Sequence, residues 1–190
     1  MDIDPSLTFR EFSNLSGKPV DEIMEIYKNT VFFRDYESGE MSDEDFRQHI
    51  REGLNIESSG QEIDDAWNAM LIDIPENKMT MLKDAKKDYR TFLLSNTNNI
   101  HRKKFEQFFA NRVDNGGIHD VFEKVYYSYN IKLRKPDPVI FKYVLDENNL
   151  NPLETLLIDD NQDNIEAARS SGIRVLKVMM NEPIIQIPDR

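Results

Sequence analysis

From residue 89 onward, short apolar runs alternate with helical patterns, and this alternation restricts the fold more than any other feature. Phe92-Leu93-Leu94, Val125-Tyr126-Tyr127-Ser128, Thr155-Leu156-Leu157-Ile158 and Arg174 to Met180 read as strands. Helical stretches separate them. One carries Phe105, Phe108 and Phe109. Another, Pro138 to Asn148, carries Ile140, Phe141, Val144 and Leu145. The last runs from Ile165 to Ser170 and is stopped by Gly172. Strands separated by helices need crossover connections, which implies an α/β chain with a parallel sheet and helices on both faces.

Residues 1–77 show only helical spacing. Phe9, Phe12 and Leu15 form one stripe, and Val20, Ile23, Met24, Ile26 and Tyr27 form another behind Pro19, which suits the start of a helix. Ser42 with Asp45 three residues on is similar to a capping box, and opens a helix lined by Phe46, Ile50 and Leu54. After a break at Ser58-Ser59-Gly60 come Ile63, Ala66, Trp67, Met70 and Leu71. No strand pattern precedes residue 89, and Pro75 to Asp88 reads as helix. Charge marks the same division. Residues 1–77 hold 19 acids and 6 bases, whereas residues 78–190 hold 16 acids and 18 bases. We read the acids as solvated helix faces.

The net charge of −11 argues against a nucleic-acid partner, which needs basic surface. The absence of cysteine removes disulfides, thiolate zinc, iron–sulfur ligation and a Cys nucleophile. No apolar run approaches the roughly 18–20 residues of a membrane span. The acidic Met-Asp-Ile-Asp-Pro start lacks the apolar region of a signal peptide, so a cytoplasmic location and no membrane partner are expected.

Three polar clusters sit at the carboxyl ends of strands, where ligands bind in an open parallel sheet. Ser95-Asn96-Thr97 precedes a helix, and a hydroxyl, an amide and free backbone N–H groups there suit a phosphate, though such residues also cap helices. In Arg134-Lys135-Pro136-Asp137-Pro138, Asp137 reads as a helix cap, while Lys135 is projected from a rigid turn as a fixed cation suited to a phosphoryl oxygen or nearby carboxylates, although a lone Lys is more often simply solvated. In Ile158-Asp159-Asp160-Asn161-Gln162-Asp163-Asn164, two adjacent carboxylates need a cation between them, a metal or a Lys. Hard oxygen donors favour Mg²⁺ over zinc. Asn164, four residues after Asp160, is placed to face the same ion. His49, His101 and His119 show no ligand spacing and read as surface or helix residues. Trp67 and the stretch 105–109 read as core, and Gly116-Gly117 as a loop.

Together, Leu94-Ser95-Asn96-Thr97, Arg134 to Pro138, and Ile158-Asp159-Asp160 with Asn164, Ala167, Ala168 and Gly172 resemble the haloacid dehalogenase-like hydrolase superfamily, closest to its small-molecule phosphatases with a helical cap. The resemblance covers nearly the whole chain. It implies a Rossmann-like core over 78–190 and an all-helical cap over 1–77. It also implies attack by an Asp carboxylate on phosphorus, with Mg²⁺ clamping that carboxylate and a phosphoryl oxygen. By resemblance Ser95 holds the transferring phosphoryl group, with Asn96 beside it as a second substrate-binding residue, and Lys135 stabilises the developing charge. Asp160 resembles the metal-binding acid, Asp159 a partner of both Lys135 and the metal, and Asn164 a further metal-site residue. The substrate expected is a small phosphomonoester, a sugar phosphate or nucleotide monophosphate. The double Asp favours phosphatase over dehalogenase.

One departure stands out. The family's first strand, ending in the nucleophilic Asp and lying mid-sheet, has no counterpart in these residues. Asp2-Ile3-Asp4 with Thr8 imitates an Asp-x-Asp pattern, but only Met1 precedes Asp2, and Pro5 stands where the family prefers Gly. The expectation is therefore a truncated start and a chain inactive as given. The alternative is a non-catalytic phosphate- or partner-binding relative. A phospho-accepting receiver domain fits poorly, because its acid pair would come first in the chain and its Lys last.

Overall fold

A computed structural model describes residues 1–112 and 117–179, so Met180 at the end of the last expected strand and Gly116 lie outside the described residues. The chain forms two compact units, Met1–Lys132 and Leu133–Arg190.

In the first unit, β1 (Asp2–Ile3) leads into α1 (Pro5–Ser16), α2 (Val20–Asn29), α3 (Phe32–Glu37), α4 (Asp43–Leu54) and α5 (Gly60–Asn68). Local chemistry sets these ends. Ser42 Oγ accepts the Asp45 N–H at 3.1 Å to open α4. At α5 the Ser59 hydroxyl and the Glu62 carboxylate form a reciprocal capping box, so the Ser58-Ser59-Gly60 break is itself a helix start. The five helices enclose an aromatic core. Phe46 is wholly buried, stacked on Tyr36 at 4.3 Å between centroids and packed beside Trp67 at 5.2 Å.

The segment 1–77 is not all helical. β2 (Leu71–Asp73) pairs antiparallel with β1, Asp2 opposite Asp73 and Ile3 opposite Leu71. Both strands are too short for the period-2 signal a sequence reading relies on. After β2 come α6 (Glu76–Asp88), β3 (Phe92–Ser95), α7 (Asn99–Ala110), a 3₁₀ turn at Gly117–Asp120, β4 (Lys124–Tyr127) and α8 (Ser128–Ile131). β3 and β4 run parallel, with Phe92 opposite Lys124 and Ser95 opposite Tyr127. A second core, with Met79, Phe105, Phe109, Val121 and Phe122, packs α6 and α7 around them.

The second unit is a single crossover motif. α9 (Pro138–Asn148) begins at Asp137, whose carboxylate accepts the Val139 N–H at 2.9 Å. β5 (Leu156–Asp159), α10 (Gln162–Ser170) and β6 (Arg174–Lys177) follow. β5 and β6 are parallel, with Leu156 opposite Arg174 and Asp159 opposite Lys177. The chain is thus α/β with parallel strand pairs, as expected. The described strands form separate pairs, β3 with β4 and β5 with β6, and no larger sheet.

Gly39 closes the turn after α3 at φ +74°, and a Cβ there would lie 2.0 Å from the Tyr129 carbonyl oxygen. Gly39→Ala therefore combines left-handed strain with a backbone clash, and is expected to cost ~3 kcal/mol in urea unfolding. An unchanged midpoint would refute that packing.

His101 is a helix residue, one of the two readings given to the histidines, but it is not at the surface. It lies on α7 but is buried, stacked on Trp67 at 4.7 Å and 13°. Its Nε2 lies 3.1 Å from the Trp67 carbonyl oxygen and its Nδ1 3.2 Å from the Asn98 amide nitrogen. Donation at Nε2 and acceptance at Nδ1 satisfy a neutral ring. Burial pushes the pKa down from 6.5 to about 4, only partly opposed by the bond to the Trp67 carbonyl. The unfolded chain takes up this proton first, so stability is full above pH 6.5 and is lost as pH falls toward 4. The loss is on the order of 3 kcal/mol. Urea midpoints compared at pH 7 and pH 4.5 should show a larger drop in the parent than in His101→Gln. Equal drops would mean His101 is not buried neutral.

Candidate active site

The second unit holds an ordered charge cluster. Lys135 leaves the loop before α9, where the Lys135–Pro136 peptide bond is cis and the Asp137 N–H donates to the Arg134 carbonyl at 3.1 Å. Its Nζ donates to Asp159 Oδ2 at 2.7 Å, with both side chains buried. The other oxygen, Oδ1, accepts the Asn161 N–H at 2.9 Å and the Asn164 side-chain amide at 3.0 Å. Burial raises the Asp159 pKa. The Lys135 charge and these hydrogen bonds outweigh it, and the carboxyl titrates below its ordinary 3.8. Asp159 is therefore a fixed anion at the end of β5.

Asp160 is its opposite. It is exposed, and its carboxylate makes no hydrogen bond or ion pair among the described residues. The sequence spacing put Asn164 on the same ion as Asp160, but the structure turns the Asn164 amide onto Asp159 instead. Asn161 opens α10, its side chain accepting from the N–H groups of Asp163 at 2.8 Å and Asn164 at 3.2 Å. That cap fixes the first turn of α10 and with it the reach of Asn164. Among the described residues no group of three or more His, Cys, Asp or Glu forms a closed metal cage. One exposed and one anchored carboxylate still fit Mg²⁺ chemistry. That ion binds through one or two carboxylates and fills its other positions with water and phosphate oxygens.

The first unit carries the remaining expected residues. Ser95 ends β3, and among the described residues its hydroxyl has one weak contact, 3.5 Å to the Asn96 carbonyl. The N–H groups expected to be free at the start of α7 are largely taken. The Ile100 N–H donates to the Tyr36 hydroxyl at 3.3 Å and the His101 N–H to Asn98 Oδ1 at 3.0 Å. The Thr97 N–H donates to Ser128 Oγ at 3.0 Å. Sequence reasoning missed Ser128 and the buried Asn98, because only tertiary contacts distinguish them from ordinary Ser and Asn. Asp2 and Asp4 both have structural partners. The Asp2 carboxylate accepts from Lys78 Nζ at 2.5 Å, and Asp4 caps α1 by accepting the Ser6 N–H at 3.0 Å.

A D-ribitol-5-phosphate phosphatase from Bacteroides thetaiotaomicron is 26% identical over 178 residues, spanning 93% of this chain and 85% of its own length. A crystal structure of a HAD family enzyme from the same organism superposes with a TM-score of 0.90 at 33% identity, covering 96% of this chain and 90% of that one. Other crystals of that enzyme contain magnesium and inorganic phosphate, including one of an Asp-to-Ala mutant. A HAD-like family hydrolase from Porphyromonas gingivalis superposes with a TM-score of 0.87 at 28% identity, over 97% of this chain and 88% of that one. The model of the family described as haloacid dehalogenase-like hydrolase matches residues 8–178, which include β3, the Lys135 loop and the β5–α10 turn. A match of that extent over those three segments makes this chain a member of the haloacid dehalogenase-like hydrolase family.

Proposed function

We propose that this chain belongs to a Mg²⁺-dependent phosphatase of small phosphomonoesters, with residues 1–77 as the cap and 78–190 as the core. The observation that carries the reading is the buried Lys135–Asp159 pair at 2.7 Å, set beside an exposed Asp160 with no partner of its own among the described residues. A buried ion pair is a poor source of stability, so its presence at a strand end favours a chemical role. Asp160 and Asp159 would hold the magnesium, which supplies positive charge for a phosphoryl oxygen when bound. Asn164 keeps Asp159 oriented. Lys135 keeps Asp159 ionised and offers its charge to the phosphoryl group. Ser95, with Asn96 beside it, takes a phosphate oxygen through its hydroxyl. The relative that acts on D-ribitol 5-phosphate supports a sugar or polyol phosphate as substrate.

The nucleophile is a separate matter. Asp2 is neutralised by Lys78 and Asp4 is spent on a helix cap, so neither is assigned the attack on phosphorus. The 190 residues are accordingly proposed to be inactive by themselves. Hydrolysis of an aryl phosphate with Mg²⁺ is the test. We expect no turnover from residues 1–190, and turnover once an apolar strand ending in Asp is fused ahead of Met1. Turnover by the unextended chain that Asp2→Asn abolishes would overturn the nucleophile assignment. An extended chain that folds without turnover would favour a non-catalytic phosphate-binding relative.

A further inference from the structure

We infer that Ser128 is a positioning residue for the Ser95–Thr97 loop, an inference that rests on the phosphate-holding role proposed for Ser95. The last backbone rung between β3 and β4 pairs Ser95 with Tyr127. Ser128 is the next residue, wholly buried. Its Oγ accepts the Thr97 N–H at 3.0 Å and so adds a side-chain rung beyond the end of the ladder. Ser95 is thus pinned by the ladder and Thr97 by Ser128, with Asn96 between them.

The same hydroxyl reaches a third segment. It has one proton and two acceptors in range, the Glu37 carbonyl at 2.6 Å and the Thr97 carbonyl at 3.1 Å. The shorter contact takes the proton. Ser128 then donates to Glu37 in the turn that ends α3 while accepting from Thr97. In the same turn, Gly39 lies so near the Tyr129 carbonyl that a Cβ would collide with it. One hydroxyl therefore ties the loop bearing Ser95 to the helical segment. Because Thr97 and Ser128 are both buried, no water can replace the bond without the loop opening.

Removing the hydroxyl leaves the Thr97 N–H without its acceptor and the Glu37 carbonyl without this donor. The loop should then sample other conformations, and the Ser95 hydroxyl should lose its fixed place. The test uses the 190-residue chain, inorganic phosphate with magnesium as the probe, calorimetry for affinity and NMR amide exchange for the loop. In Ser128→Ala we expect about tenfold faster exchange at Thr97 and about tenfold weaker phosphate binding. Ser128→Cys, similar in size with a weak donor and acceptor, should fall between, and it serves if Ser128→Ala does not fold. Thr91→Val removes a hydroxyl bonded to the Val121 carbonyl just before the other end of β3, and should leave phosphate affinity unchanged.

Phosphate bound by both Ser128 variants as tightly as by the parent would overturn the inference, as would equal weakening in Thr91→Val. A parent chain that binds no phosphate would instead refute the role given to Ser95, and this inference with it.

Discussion

Lys135→Met is expected to destabilise the second unit by about 3–5 kcal/mol, because it leaves the Asp159 carboxylate buried without its counter-charge. The substitution removes the 2.7 Å bond between Lys135 Nζ and Asp159 Oδ2. Asn164 and the Asn161 N–H remain, but two neutral donors do not replace a cation at a buried site. The double variant Lys135→Met with Asp159→Asn removes both charges and should recover most of the stability. Urea unfolding of the parent, the single and the double variant measures this directly.

Acid provides a second reading of the same pair. Asp159 titrates below its ordinary 3.8 in the folded chain. Its contribution is therefore full above pH 3.8 and is lost as pH falls through the lower, folded value. In Lys135→Met the burial that raises the Asp159 pKa is no longer offset by a charge, so the carboxyl protonates at higher pH. The deficit of the variant should shrink on acidification. A deficit under about 1 kcal/mol at pH 7 would mean that the pair is solvated, and the case for its chemical role would fall with it.

Phe46→Ala is the other large effect, about 3–5 kcal/mol. Phe46 is 0% exposed and touches four aromatic rings, with centroids 4.3 Å away at Tyr36, 5.2 Å at Trp67 and 5.9 Å at both Phe32 and Phe33. Those rings belong to α3 and α5, and two helices with their own packing cannot both close on the space left by a truncated side chain. The Trp67 ring also stacks on His101 of α7, so the cavity is expected to loosen the seat of His101. Trp67 fluorescence should report both. A red-shifted emission in the folded variant is the expected result, and an unfolding midpoint equal to the parent's would contradict the packing.

Features set by neighbours along the chain were legible in the sequence. Asp137 and Pro138 start α9, Ser42 starts α4 and Gly172 ends α10 at φ +80°, because caps act within three or four residues. The β3, β4, β5 and β6 strands could be read because apolar runs between helical patterns have few other uses. The positions of Ser95, Asp159 and Asp160 at or just after strand ends followed from the same alternation, whereas Lys135 lies one short helix beyond β4, in the loop between α8 and α9.

Long-range packing determined what no local rule reaches. β1 and β2 exist only by pairing across about 70 residues of chain, and each is too short to signal alone. His49 and His101 have similar helical surroundings in sequence, yet one is exposed and the other buried against Trp67, which only the packing of α5 on α7 fixes. The α7 start looked open to an anion and is instead closed by Tyr36 and Asn98. Asn164 could turn to either carboxylate, and the cap at Asn161 aims it at Asp159. Burial and partner choice depend on the whole chain's contacts, whereas caps and periodicity depend on a few adjacent residues.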